Sequence, residues 1–329
     1  MINIQKEGNQ KRELTHDNEK CVGCGICRDT CPTSALNLGP ILPIARGIIE
    51  MDNISVNPNT CALCGICATA CPFGALEFKI DDTSIAEMAE YPNWTHYTKI
   101  NEDECIYCQA CQNICPQDTI TILRQLPERK NLVSGEIEVD EEECIHCGIC
   151  AELCPGEAIS VVQNPYGKGE IKIYSEDCVY CLVCKRACPT NAIKAVCRSC
   201  SYSDYDFNKE DAITTGQSLL NFNNCVSCGW CEKICPQDAI EIIKPFTGTI
   251  DKKESEECQG EGCHACQDVC PCNAIKIIDG TTVFDPEVCV LCGTCANVCP
   301  KKLITVTRTG MNLENIKSQS WKTQLDKIL

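Results

Sequence analysis

One pattern, C-x2-C-x2-C-x3-C-P, recurs eight times in this 329-residue chain and dictates most of what it can become. Repeats of this kind outrank local propensity as a guide to fold. The copies are Cys21, Cys24, Cys27, Cys31 (motif 1); Cys61, Cys64, Cys67, Cys71 (motif 2); Cys105, Cys108, Cys111, Cys115 (motif 3); and Cys144, Cys147, Cys150, Cys154 (motif 4). They continue as Cys178, Cys181, Cys184, Cys188 (motif 5) and Cys225, Cys228, Cys231, Cys235 (motif 6). Motif 7 is stretched, with Cys258, Cys263, Cys266 and Cys270; Cys289, Cys292, Cys295 and Cys299 form motif 8. Eight motifs of four use 32 of the 35 cysteines and leave Cys197, Cys200 and Cys272.

The spacing has a chemical reading. Three cysteines at x2 intervals wrap a short loop round one cubane, each thiolate taking one iron of a [4Fe–4S] cluster. Small residues in the loop (Gly25, Gly65, Gly148, Gly229, Gly293) let backbone N–H groups approach the sulfurs. The x3 step carries the chain through about one helical turn, so the fourth thiolate serves the other cluster of a two-cluster module. The proline that follows (Pro32, Pro72, Pro116, Pro155, Pro189, Pro236, Pro271, Pro300) stops the helix without stranding an N–H. Tetrahedral zinc sites also use C-x2-C pairs, but separate them by longer stretches. The expectation is therefore eight [4Fe–4S] clusters, held by the 32 motif cysteines.

Composition supports this and narrows the classes. Disulfide scaffolds are short and secreted, whereas this chain is long and opens MINIQKEGNQKREL, without an apolar leader segment. No apolar run approaches the roughly 20 residues that span a bilayer. The expected setting is cytoplasmic, with no membrane span. The formal charge is −17; clusters of about −2 each would take it to about −33. Such a surface repels nucleic acid and anionic lipid. With only 17 aromatic residues, the clusters take over part of the core, and the apo chain should be largely unfolded.

Short apolar segments (ALEFKI, AISVVQ, AIEIIK, AIKIID, LITVTR) follow the motifs and read as strands. The expected fold class is α+β: tandem bacterial-type two-[4Fe–4S] ferredoxin modules. Pairing the motifs in order gives modules at 1–80, 99–164, 165–246 and 247–308. Residues 81–98 are then a linker, with a short helix expected from Asp82 or Thr83. Residues 197–224 form a loop insertion that includes SYSDYDFNKED. Linker composition does not settle the order, and a nested arrangement, one module inserted in another, is the competitor. In sequential pairing Cys21, Cys24, Cys27 and Cys71 share one cluster, and Cys61, Cys64, Cys67 and Cys31 its neighbour. Residues 309–329 read as a helical tail with Ile316, Trp321, Leu325 and Ile328 apolar, fit for packing on its own modules or on a partner.

The other reactive residues have plainer readings. Cys197 and Cys200 make one x2 pair, two ligands short of a ninth cluster, and Cys272 follows Cys270-Pro271; all three read as buried or free thiols. His146 and His264 lie inside motifs that already own four cysteines, so loop positions rather than ligation are expected. Glu102 to Glu104, Glu141 to Glu143, Glu256 and Glu257 form a solvated acidic surface able to bias potentials and docking. There is no P-loop and no dinucleotide fingerprint after a strand, so catalysis by the chain itself is not expected. One-electron relay is.

The motifs from Cys21 to Cys299 resemble those of the polyferredoxins. Within that group, eight motifs on a chain of this length are most similar to the polyferredoxins of formylmethanofuran dehydrogenase in methanogenic archaea. The resemblance implies a tungsten or molybdenum complex that reduces CO2, with its catalytic metal in other subunits. The chain would feed low-potential electrons to that core, with a heterodisulfide reductase or hydrogenase complex as donor. The alternatives are a hydrogenase polyferredoxin and a free electron-storage ferredoxin.

Overall fold

The computed structural model describes residues 2–127, 132–164, 169–198 and 213–329. Cys200 and the run SYSDYDFNKED lie outside the described residues. The chain divides into two compact units: Met1–Leu123 with Gln217–Leu329, and Arg124–Gly216.

Every motif builds the same local structure. A helix of one turn or slightly more carries the third cysteine: Ile26–Asp29, Ile66–Ala70, Ala110–Ile114, Ile149–Glu152, Val183–Ala187, Trp230–Ile234, Ala265–Asp268 and Thr294–Val298. The Cys-Pro step ends it, because proline cannot extend the hydrogen-bond ladder. A strand follows, starting at Leu36, Leu76, Ile120, Ile159, Ile193, Ile240, Ile275 or Ile304.

The strands pair by one reciprocal rule. The strand before one motif pairs with the strand after its partner, and the strand after it with the strand before its partner. For motifs 1 and 2, Arg12–His16 runs antiparallel to Leu76–Ile80, with His16 opposite Leu76. Leu36–Leu38 pairs with Ile54–Val56. For motifs 7 and 8, Phe246–Lys252 pairs with Ile304–Met311 and Ile275–Ile278 with Thr281–Phe284. The middle four motifs depart from sequential order. Tyr97–Ile100, before motif 3, pairs with Ile240–Ile243, after motif 6, and Ile120–Gln125 pairs with Thr215–Leu220. Gly135–Val139, before motif 4, pairs with Ile193–Cys197, after motif 5, and Ile159–Val162 with Glu170–Ile173.

The sequential modules 99–164 and 165–246 are therefore incorrect. Motif 3 pairs with motif 6, and the motif 4–5 module is inserted between them as its own unit, Arg124–Gly216. The physical reason is that the ladders are interchangeable at the level of local propensity. Register is set by which apolar faces meet, here Ile100 on Ile240 and Val139 on Ile193.

Three further expectations change. No helix starts at Asp82 or Thr83. Asp81 and Asp82 both take positive φ, 48° and 65°, the backbone of a two-residue hairpin turn. They join Leu76–Ile80 to Thr83–Ser84, and Ile85–Glu87 adds a single 3₁₀ turn. Within 197–224, Thr215–Leu220 is a strand rather than loop. At the C-terminal end the strand after motif 8 runs to Met311, past 308, and a further short strand, Leu313–Glu314, pairs with Asn93–Trp94. The tail is then helical over Gln319–Leu325, followed by a 3₁₀ turn. Leu325 and Ile328 are buried among Ile26, Ile66, Phe246 and Leu291, so the tail packs on its own unit.

Candidate metal centres

Each loop is shaped by left-handed residues at fixed places. The second residue after the first cysteine has positive φ in all eight motifs: Gly23, Leu63, Tyr107, His146, Tyr180, Ser227, Gly260 and Leu291. So does the residue after the second cysteine: Gly25, Gly65, Gln109, Gly148, Leu182, Gly229, His264 and Gly293. An L-residue pays roughly 1 kcal/mol or more in that region, which explains why glycine fills five of the latter eight. At Gly65 the need is doubled, since a Cβ there would come within 2.8 Å of Phe78. The stretched motif 7 keeps both features. Its two extra residues are taken up in the 3₁₀ turn Gly260–Gly262, with Gly260 and His264 at the left-handed positions. His146 and His264 thus shape loops by backbone conformation.

These bends aim N–H groups at sulfur. The N–H two residues on donates to the first cysteine: Tyr107 to Cys105, Tyr180 to Cys178, Ser227 to Cys225 and Leu291 to Cys289, each at 3.4 Å. The N–H four residues on donates to the fourth: Ala35 to Cys31, Ala158 to Cys154, Ala239 to Cys235 and Ala274 to Cys270, each at 3.3 Å. Such donors are matched to thiolates rather than thiols.

The fourth cysteine reaches across to the partner motif. Cys21, Cys24, Cys27 and Cys71 line one cavity. Cys105, Cys108 and Cys111 share theirs with Cys235, and Cys225, Cys228 and Cys231 with Cys115. Cys258, Cys263, Cys266 and Cys299 line a wider one of about 260 Å3, opened by the stretched loop. Cys61 and Cys64 lie with Cys31 around Cys67, and Cys289, Cys292 and Cys270 around Cys295. In the inserted unit, Cys178 lies by Cys154 and Cys181, and Cys184 by Cys178 and Cys181. Cys150 lies by Cys147 and Cys144, and Cys188 packs in the same cluster of side chains as Cys150.

The electrostatics fit a group that carries positive charge of its own. Burial, reinforced by the neighbouring thiols, pushes Cys24 and Cys27 well above the usual thiol range. Burial lifts Cys21 to about 11 and Cys231 to about 12. Iron must displace these protons, so loading is coupled to proton release. Among the described residues no three His, Cys, Asp or Glu side chains converge tightly enough to clasp one ion. A zinc ion would need four thiolates at about 2.3 Å from one centre; a cubane spreads them over four irons. A buried orphan adds to the fit. His16 is 1% exposed, neither ring nitrogen has a hydrogen-bond partner, and it lines the cavity of Cys21 and Cys71. No motif marks His16; its alternation in a buried strand, RELTH, was the only sequence signal.

The leftover thiols stand outside the four-cysteine sets. Cys197 is buried at the end of its strand, opposite Gly135. Cys272 is 1% exposed, its carbonyl accepts from Trp230 Nε1 at 2.6 Å, and its thiol donates to Cys228, holding that neighbour's titration down.

Comparison with known proteins finds the same cluster motifs, with matches over motifs 1–2 and 4–5 as the strands pair them and others, at 60–119 and 97–155, over neighbouring motifs that the strands do not pair. Two descriptions of a 4Fe-4S dicluster domain match residues 20–75, 60–119 and 143–192, and residues 97–155. A 4Fe-4S binding domain matches 219–241 and 282–305. A curated relative, the polyferredoxin protein FwdF of Methanocaldococcus jannaschii, is 42% identical over 135 residues, which are 41% of this chain and 38% of the relative. The match thus spans well under half of the curated relative's length. A solved chain in the formate dehydrogenase–heterodisulfide reductase–formylmethanofuran dehydrogenase complex from Methanospirillum hungatei superposes with a TM-score of 0.60 at 25% identity. That likeness covers 99% of this chain and 91% of the other. Repeated dicluster matches on a fold of reciprocally paired motifs place the chain in the family of 4Fe-4S dicluster ferredoxins, and, with these domains in tandem, it is a polyferredoxin.

Proposed function

We propose that the chain is an electron relay that holds eight [4Fe–4S] clusters and carries low-potential electrons to the catalytic core of a formylmethanofuran dehydrogenase. The observation that carries the relay is the reciprocal pairing, which gives every one of the eight loops a fourth thiol from its partner. The ligand sets are Cys21, Cys24, Cys27, Cys71; Cys61, Cys64, Cys67, Cys31; Cys105, Cys108, Cys111, Cys235; and Cys225, Cys228, Cys231, Cys115. The remaining sets are Cys144, Cys147, Cys150, Cys188; Cys178, Cys181, Cys184, Cys154; Cys258, Cys263, Cys266, Cys299; and Cys289, Cys292, Cys295, Cys270. When bound, each cluster accepts and releases one electron at a time. The chain's own part is to fix the thiolates with N–H donors and to keep water from the sites with apolar side chains such as Phe73, Val288 and Val290.

The named partner rests on the FwdF relative and on the composition of the solved complex, and a heterodisulfide reductase, also present in that complex, is the donor in this reading. No helix among the described residues is long and apolar enough to cross a membrane, in keeping with a cytoplasmic setting. Anaerobic purification tests both levels. About 32 iron per chain with interacting S = 1/2 signals on reduction is expected; fewer than about 24 overturns the eight-cluster reading. Co-purification with a tungsten or molybdenum pterin enzyme is expected, and a lone monomer overturns the complex.

A further inference from the structure

Within the unit Met1–Leu123 with Gln217–Leu329, motif 8 touches more neighbours than its module requires. Thr294 Oγ1 donates to the carbonyl of Val22 at 2.9 Å, and Asn297 Nδ2 to that of Cys24 at 2.7 Å, tying its helix to the loop of motif 1. On its other side Val288, Val290 and Cys292 share one buried cluster with Val226 and Cys228 of motif 6. With motif 7, its partner by strand pairing, motif 8 has three neighbours.

Two half-buried cations serve this loop. Lys244 Nζ donates to the carbonyls of Glu287 and Cys289, at 2.5 and 3.1 Å. Its stem lies 3.7 Å from where a Cβ on Gly229 of motif 6 would sit, so it spans motifs 6 and 8. Arg308 donates from Nε to the carbonyl of Leu291 at 2.8 Å and from Nη2 to that of Cys292 at 2.6 Å. Its third donor goes to Ile328 of the tail, and the guanidinium stacks 4.9 Å from the centre of Phe246. Both cations have only carbonyl partners, with no ion pair among the described residues. The carboxylates whose fields reach them, Asp29 and Asp285, are taken by Arg28 and Lys233. Other loops differ: Arg12 alone reaches the carbonyl of Leu63 in motif 2, and in motif 7 Lys252 reaches the Cys258 thiol beside the wide cavity, where water screens it, while Arg46, at Cys263, is paired with Asp268.

A positive charge beside a cluster stabilises the reduced, more negative form, and partial burial weakens screening. We infer that Lys244 and Arg308 make the cluster of Cys289, Cys292, Cys295 and Cys270 the most readily reduced in this unit, so that electrons collect at the loop that adjoins motifs 1, 6 and 7. This rests on the cluster-binding reading above.

The test is an anaerobic EPR redox titration of the full chain, with iron and sulfide measured on each sample. Lys244→Met and Arg308→Gln should each cut the reduced fraction of the first-reduced cluster at least tenfold at fixed potential, about 59 mV for a one-electron couple, at unchanged iron. Lys244→Arg and Arg308→Lys keep the charge and should restore the wild-type potential. An unchanged first reduction in Lys244→Met at full iron content overturns the inference, as does a Lys244→Arg shift as large as that of Lys244→Met. Wild-type protein with fewer than about 24 iron overturns the cluster reading itself.

Discussion

Removing residues 124–216 and joining Leu123 to Gln217 through a short Asn-Gly turn should leave six clusters intact. The excised segment, 93 residues from 124 to 216, is the inserted unit. The cut ends lie on Ile120–Gln125 and Thr215–Leu220, neighbours in one sheet, so a tight turn can close them. Iron should fall from about 32 to about 24 per chain, the loss of two cubanes. Stability of the motif 3–6 module should not fall. A loop of about 93 residues costs (3/2)RT ln n to close, against about 4 residues in the variant, a difference of up to about 3 kcal/mol in favour of the shortened chain. That is an upper bound, since a folded insert already holds its ends. Iron and sulfide assays, with urea unfolding followed by cluster absorbance, read both quantities. A shortened chain with only about 16 iron, motifs 3 and 6 failing to load, would refute the nested pairing.

Cys235→Ser should damage the cluster of Cys105, Cys108 and Cys111 and spare that of Cys178, Cys181 and Cys184; Mössbauer or EPR spectra in which the motif 5 cluster suffers instead would contradict the reciprocal rule. His16→Leu removes the one unpartnered buried ring beside Cys21 and Cys71, and should lower one cluster's potential at full iron content, up to a tenfold change in reduced fraction, checked by EPR titration. Leu325→Ala should cost about 2–5 kcal/mol, because this side chain is fully buried, and should speed proteolysis of the C-terminal tail. Burial beside Trp94 and Phe222 holds His96 down at about 4. The unfolded chain therefore takes up a proton between about pH 6.5 and 4 that the folded chain refuses, and stability drops as pH falls through that window. From pH 7 to 5 the loss should be on the order of 1–2 kcal/mol, and urea midpoints of His96→Phe should lack that component.

The cysteine loops were legible because cluster chemistry writes itself into short-range spacing. Even the stretched motif 7 kept its two left-handed positions, Gly260 and His264. The strand after each motif was legible too, from segments such as ALEFKI and AIEIIK. Pairing was not, since AISVVQ after motif 4 and AIEIIK after motif 6 are equally good partners by propensity. The choice depends on side chains that meet over more than a hundred residues, Ile100 with Ile240. The Asp81-Asp82 turn was misread as a helix start because aspartate favours both a helix N-cap and left-handed turns. His16, Lys244 and Arg308 carry no motif; their positions follow from burial and from which carbonyls the loops leave facing inward.

Nesting has a consequence for how the protein is made. Cys105, Cys108 and Cys111 leave the ribosome 124 residues or more before Cys235, the thiol that completes their set. At about 5–20 residues per second, that is a wait of roughly 6 to 25 s for three reactive thiols before the partner motif's thiol arrives. The motif 4–5 module is complete well before then. Order of maturation thus departs from order of synthesis, and motif 3 is where a growing chain is most open to oxidation or to the wrong metal.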